Sequence, residues 1–585
     1  MIILTYLQQI ESFYERNDYK SVIDSFENLE NPSKQIEISQ EEKIQLLYYY
    51  ARSLFSLNFK IKAFNVLEQF EFSINNLKPD YLKMIIILTK LYILNMNLQF
   101  KEALSLLQVW KEQFESIKFH SDHERRWYAL YLHVCGAIYF ENGDPQQGKA
   151  YTQKSLELKK HLQSRGFDLS QEIADGLHNL GSDAMDGELN FEEAIKLLSE
   201  ANTIYNEIDN ISGQAWCFLN IGFCYQNMTD YSRSIHYYIK SANYFEKIND
   251  STIWRPLSAL VLIYLRKGNF ESALKWLNKL EETNTNAYAI LYRKSQYFKL
   301  IGNIKEAEII LNKVFELNKN SLSNTSLILI YLNLADLKID QNDIPKAQIY
   351  LNHSLDLYKS SNREKMADLN IKFELAKIFL RLGKVDSAVA LYNEIPINAI
   401  TIKEFSVKFL FLNALIEKNK PRIKDRLASL DLFKEIIESR LVDHMIYGQA
   451  IIHSVELLLL EYKVEENEKL LKEIEILLKK LYAFASPLKN SLLTIESLIL
   501  QSKLAIINEK IEKSLELLDI AMEIIENQNL SFFKNKVANE RNHLYEQIEM
   551  SESASLDLKR KLKIAQMENY IEQAKIALKS DSGIL

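Results

Sequence analysis

With only 14 Gly and 8 Pro in 585 residues, and with Leu, Ile, Lys, Glu and Asn dominating, the chain has too few turn-formers for a β-rich fold. Its 71 basic and 78 acidic residues leave a mild, mixed net charge of -7, which gives no basic surface to draw a phosphate backbone and sets nucleic acid aside as a partner. Cys135, Cys217 and Cys224 are an odd set that builds no disulfide framework and suits a reducing interior.

At the amino terminus Met1-Ile2-Ile3-Leu4 runs at once into polar Gln8, Gln9 and Glu11, unlike the long apolar core of a signal peptide. The most apolar window, Met84 to Leu98, is broken by Lys90 and two Asn and falls short of the roughly 18 to 20 residues that span a bilayer. The expectation is a cytoplasmic protein without membrane insertion. Tyr48-Tyr49-Tyr50 are three successive residues that cannot all face one side of a helix, so at least one is expected to be exposed or to meet a neighbouring chain.

Further along, a unit of two helices recurs. Between Gln214 and Ile248, Phe218, Ile221, Gly222 and Tyr225 fall on one helical face, and Ser234, Tyr238 and Ser241 face them from a second helix. Gly222, lacking a side chain, lets the second helix come close, with Tyr238 packing where the two diverge. The small residue of each second helix follows the unit through the chain as Val22, Ala63, Ala103, Gly148, Ala194, Ser234, Ala273, Ala307, Ala347 and Ala388, a period near 40. Turns such as Gly143-Asp144-Pro145, Gly268-Asn269-Phe270, Gly302-Asn303-Ile304 and Gly383-Lys384-Val385 precede several of these residues, with Gly capping one helix and a polar residue opening the next.

These hairpins resemble tetratricopeptide repeats. The family's large, Leu, small, Tyr pattern has counterparts in Leu177, Leu180, Gly181 and Ala184, and again in Phe218, Ile221, Gly222 and Tyr225 and in Leu257, Leu260, Val261 and Tyr264. The period is longer than the family's roughly 34 residues, as in the tetratricopeptide-like regions of bacterial sensor regulators and of kinesin light chains, and the proline that closes the family's repeat is mostly missing. The resemblance implies an all-α fold, a right-handed α-solenoid of about thirteen stacked antiparallel hairpins. Expected boundaries are degenerate hairpins over 1–119, a regular array with a polar concave groove over 120–396, degenerate hairpins over 397–530 and terminal helices over 531–585. Beyond Pro396 the expected pairs are 398–418 with 421–439, 441–462 with 464–485 and 487–508 with 510–527, followed by helices at 531–549 and 556–579. The last, with Lys559, Arg560, Lys561 and Lys563, caps the array or leaves it as a coiled-coil arm.

No enzyme is expected: the sequence holds no phosphate-binding Gly loop, HExxH, paired CxxC or Gly-x-Ser-x-Gly elbow, and no metal or cofactor is expected either. His120 and His123 read as a solvated loop before a helix beginning at Glu124, and Asp186-Gly187-Glu188 as a turn. The resemblance instead implies a groove lined by first helices. Its stripe includes Asp175, Asn179, Trp216, Asn220, Asn227, Arg255, Arg293, Asn333, Asp336 and Arg381. Asn179, Asn220 and Asn333 hold equivalent places and could grip a peptide backbone, since an amide pairs with both C=O and N–H, while Arg255 and Arg293 could take a carboxylate. The same stripe also fits a solvated or self-packed face. Two functions follow: a scaffold that binds a peptide segment of a partner protein, or a peptide-sensing receptor that changes its superhelical pitch and signals to a separate effector. The oligomeric state is open.

Overall fold

The computed structural model describes residues 6–544, apart from short stretches, the longest being 30–38, 72–76, 361–364 and 397–401. The helix expected at 556–579 and part of that at 531–549 lie outside the described residues. Among the described residues there is no strand, and twenty-six α-helices pair in chain order into thirteen antiparallel hairpins, from Tyr6–Glu15 with Tyr19–Leu29 to Ser491–Ile507 with Ile511–Asn527. No described helix is long and apolar enough to cross a membrane. The chain divides into two compact units, Met1–Gly213 and Gln214–Leu585.

The hairpins close where the sequence places small residues. Val22, Ala63, Ala103, Ala194, Ser234, Ala273, Ala307, Ala347 and Ala388 are all fully buried, as is Ser514 in the final pair. In each of these hairpins a second-helix side chain no larger than valine lets two backbones approach, and larger residues fill the flanks. Ser234 adds a directional link, donating from Oγ to the Gly222 carbonyl at 2.7 Å, and Ser241 does the same to the Ala215 carbonyl at 2.9 Å. Tyr238 differs from expectation: its ring lies directly over Gly222, where a Cβ would come within 2.8 Å of Cδ1. The missing side chain makes room for an aromatic ring, not only for a closer backbone.

Turns follow the same chemistry. Gly143, Gly268, Gly302 and Gly383 all take positive φ between their two helices, a conformation nearly free for glycine alone. Asp144 and Asn269 then cap the following helices through hydrogen bonds from the Gln147 and Ser272 amides.

In the first unit the inner faces of the early helices are filled by their own side chains. Contrary to the expectation of an exposed tyrosine, Tyr48, Tyr49 and Tyr50 are all buried. Helix Gln40–Ser56 is covered on every side: Tyr50 stacks on Phe26, Tyr49 donates to Glu11 at 2.9 Å, and Tyr48 meets Trp127 edge-on at 5.2 Å. Helices before and after it supply these partners, so no neighbouring chain is needed. Arg52 lies against the rings of Tyr14, Tyr48 and Tyr92 and donates to Tyr48 Oη at 2.6 Å.

The second unit closes on itself. Its hairpin turns at Gly268 and Gly302 are seated against segments more than 200 residues later in the chain. A Cβ on Gly268 would fall 2.4 Å from Asn490 Nδ2, and one on Gly302 would fall 3.1 Å from the Phe533 ring. Ile301 packs with Leu530 and Phe533, and Lys267 lies near enough to His444 to act on its charge. Turns joining first to second helices thus meet the connections that precede later first helices. One edge of the hairpin ribbon rests on the opposite edge, and this contact forms a seam.

Candidate functional site

First helices of the second unit lie side by side: Trp254–Arg266 packs on Ala287–Leu300, and Asn324–Asp340 on Lys365–Arg381. Helices of this unit carry the predicted stripe from Trp216 onward, most of which is half-buried. Helical spacing puts these residues on one face, and side-by-side packing brings the faces of successive helices into register.

Much of that stripe links one helix to the next. Asn333 Nδ2 donates to Tyr292 Oη at 3.1 Å and to the Leu329 carbonyl at 2.8 Å, so its two donors are used within the fold. Arg293 donates through Nε to Ser258 Oγ at 2.9 Å and through Nη1 to Gln296 Oε1 at 2.6 Å, and burial lowers the pKa of its guanidinium. Asn227 is buried and donates to the Phe223 carbonyl at 2.9 Å. Asp336 receives both Lys299 and Arg381, and Arg381 also reaches Asp340 at 2.6 Å. Burial would push the Asp336 carboxyl up, but the two cations outweigh it and hold the group well below the usual carboxylate range.

Asn220 stands half-buried on Ile211–Asn227, and Asn179 half-buried on Ser170–Asp186 of the first unit. His123, inside the helix Asp122–Glu141 that begins two residues earlier than expected, meets Gln45 at 3.1 Å. Among the described residues no group of three His, Cys, Asp or Glu is placed to hold a metal ion.

Arg255 is different. It is exposed at the start of its helix, and its guanidinium carbon lies 5.4 Å from the Trp216 ring centre and 5.1 Å from that of Trp254. Trp216 is itself set by Phe245, edge-on at 5.6 Å. Reading the stripe by its period misses Trp254, which lies one residue off it. The signal available was its adjacency to Arg255 and the Asp250-Ser251-Thr252 capping sequence just before. Tyr292 and Ser258 were missed for a related reason, since each lies on its helix's buried side and reaches the stripe only through a neighbouring helix.

No family model and no curated protein matches the chain. Among solved structures, it is similar to the apo form of RapI at 13% identity, covering 61% of this chain and 98% of that one with a TM-score of 0.47. It is also similar to the APC/C hetero-tetramer Cut9-Hcn1 at 12% identity, covering 92% and 96% with a TM-score of 0.47. A tetratricopeptide repeat protein from Parabacteroides merdae aligns at 16% identity over 48% of this chain and 98% of its own, with a TM-score of 0.34.

Proposed function

We propose that the chain is a cytoplasmic, non-catalytic scaffold that binds a peptide segment of a partner protein along the aligned first helices of its second unit. The observation that carries this reading is the Trp216, Asn220, Arg255 end of the stripe. There an exposed cation and two half-exposed indoles stand beside an amide, while the far end is tied up in its own ion pairs. An extended segment would lie across helices whose spacing is fixed by packing, and many modest contacts would add to a useful affinity.

Retention of a peptide library by the wild-type chain and by a variant with Asn220 and Asn333 both changed to Ala tests the reading. Weaker retention with an unchanged melting temperature supports an asparagine-lined site. Equal retention moves binding off the stripe. Asn333 also holds Tyr292, so the melting control is essential.

The seam within the second unit favours a second reading, a peptide-sensing receptor. A ribbon whose edges already touch cannot lengthen its pitch without parting Gly268 from Asn490 and Gly302 from Phe533. A ligand that binds the parted form more tightly would shift that equilibrium by its differential affinity alone.

A further inference from the structure

One outward face of the helix Tyr231–Lys247 alternates cations and aromatic rings. Arg233, Tyr237, Lys240, Tyr244 and Lys247 stand at offsets of 0, 4, 7, 11 and 14, which a 3.6-residue helix brings into one stripe. The other helix of the hairpin adds two rings beneath it: Tyr237 stacks on Tyr225 at 5.6 Å, and Tyr244 meets Phe218 edge-on at 5.2 Å. The cations rest on these rings. Arg233 lies 4.5 Å from the Tyr225 ring centre, Lys240 5.3 Å from that of Phe218 and 5.8 Å from that of Tyr237, and Lys247 4.9 Å from that of Tyr244. All seven residues belong to the second unit, and none lies on the first-helix stripe described above.

Some outward charges of second helices are cancelled by the next second helix, as Lys160 is by Glu200 at 3.1 Å and Lys279 by Glu246 at 3.4 Å. Lys240 and Lys247 are exposed and have no carboxylate partner among the described residues. The acids that flank them in sequence are committed elsewhere: Asp230 to the Arg233 guanidinium at 2.6 Å, Glu246 to Lys279, and Asp250 to the Thr252 amide at 2.7 Å. An ammonium on an exposed ring is held only weakly, so an anion that takes the charge also uncovers the ring face. The net charge of -7 averages over the whole chain and hides such a face.

We propose that this ladder is a site for single-stranded nucleic acid, with Lys240 and Lys247 on phosphates and Tyr237 and Tyr244 as stacking platforms for bases. From Arg233 to Lys247 the stripe spans about 21 Å at 1.5 Å per residue, the length of about six stacked nucleotides. An acidic protein surface would satisfy the lysines but leave the rings without a flat partner. A single strand supplies charge and planar faces together, and it does so for any sequence because every base has a π-face. The site goes beyond the peptide reading and shares no residue with it.

The test titrates the full-length chain into a fluorescein-labelled oligothymidylate of about twelve nucleotides, with a duplex of the same length and polyglutamate as competitors. The single strand is expected to bind more tightly than the duplex, whose base faces are hidden, and this preference reads stacking without any substitution. Log Kd should rise with log salt with a slope of about 1.4, from about 0.7 for each lysine. Lys240→Gln with Lys247→Gln should flatten that dependence and weaken binding about tenfold at low salt. Tyr237→Leu with Tyr244→Leu should weaken it about five- to a hundredfold and leave the slope unchanged. Because both lysines are exposed, the lysine variant should melt with wild type and keeps the test decisive if the tyrosine variant melts lower. No binding of the strand, or full binding by the lysine variant, overturns the proposal. So does equal affinity for strand, duplex and polyglutamate, which would assign the lysines to an acidic protein surface. Peptide binding along the first helices stands or falls separately in each case.

Discussion

Gly268 abuts Asn490 so closely that a side chain at position 268 would displace the asparagine amide. Gly268 holds φ at +67°, and an added Cβ would stand 2.4 Å from the Asn490 amide nitrogen. Asn490 is fully buried and caps Ser491–Ile507 by accepting from the Leu493 amide at 3.2 Å. An alanine at position 268 therefore meets left-handed backbone strain and displaces a helix cap at once. Gly268→Ala should destabilise the second unit by about 2 kcal/mol. Hydrogen exchange should quicken both in the turn at 267–269 and in the first turn of Ser491–Ile507. Exchange confined to the turn at 267–269 would mean that the seam is not coupled to the cap.

Gly222 and Tyr238 make a second test, inside one hairpin. A mid-helix Gly→Ala change ordinarily gains about 0.5–1 kcal/mol from helix propensity. Here the new methyl would lie 2.8 Å from a ring that is almost fully buried, and overpacking of that kind costs about 1–3 kcal/mol. The steric term should win, so Gly222→Ala lowers the urea midpoint. Adding Tyr238→Leu should recover part of the loss, with a coupling of about 1 kcal/mol in the double-mutant cycle. Strict additivity of the two changes would show that the ring yields freely.

The hairpins were legible because small residues recur at a fixed place. Ala273 and Ala307 are buried in the structure for the reason that makes them visible in the sequence: two helices cannot approach over a large side chain. The stripe was legible as a face, since 3.6-residue periodicity assigns direction within one helix. Its partners were not. Periodicity does not say that Tyr292 would take one donor of Asn333, or that Trp254 would flank Arg255, because both relations depend on the angle and offset between helices. The seam was still further from view, since Gly268 and Asn490 meet across several intervening hairpins. Tyr48, Tyr49 and Tyr50 show the same limit, as a helix packed on all sides has no outward face to predict.

Asp336 ties the stripe to acid stability. Its folded pKa lies well below the usual carboxylate range, held there against burial by Lys299 and Arg381. A depressed carboxylate contributes stability that is present in full above the unfolded pKa and is lost as the pH falls through the folded one. Asp336→Asn leaves two cations without their shared anion and should cost on the order of 3 kcal/mol at pH 7. The gap between variant and wild type should stay constant above about pH 5 and narrow below pH 4 as the wild-type carboxylate takes up its proton. Denaturant midpoints across that range would read it. A gap independent of pH would assign the loss to packing and not to charge.

Lys159 acts at the alkaline end of the range. It is 2% exposed, its Nζ donates to the Glu172 carbonyl at 3.3 Å, and burial pushes its pKa down from 10.5 to about 8, with Glu172 and Asp175 pulling the other way. Between about pH 8 and 10.5 the unfolded chain holds more protons than the folded one, so this group makes stability rise with pH across that window. Below it the lysine is charged in both states and the cost of burying that charge is fully present. Lys159→Met keeps the length of the side chain and removes the charge, and should stabilise the first unit at pH 7 by on the order of 3 kcal/mol. The advantage should shrink as the pH is raised from 8 towards 10.5, because wild type sheds its buried proton while the variant has none to lose. Paired urea titrations at pH 7, 9 and 10 would show the two curves converging. A variant less stable than wild type at pH 7 would mean that the ammonium's attraction to Glu172 and Asp175 exceeds the cost of taking it out of water.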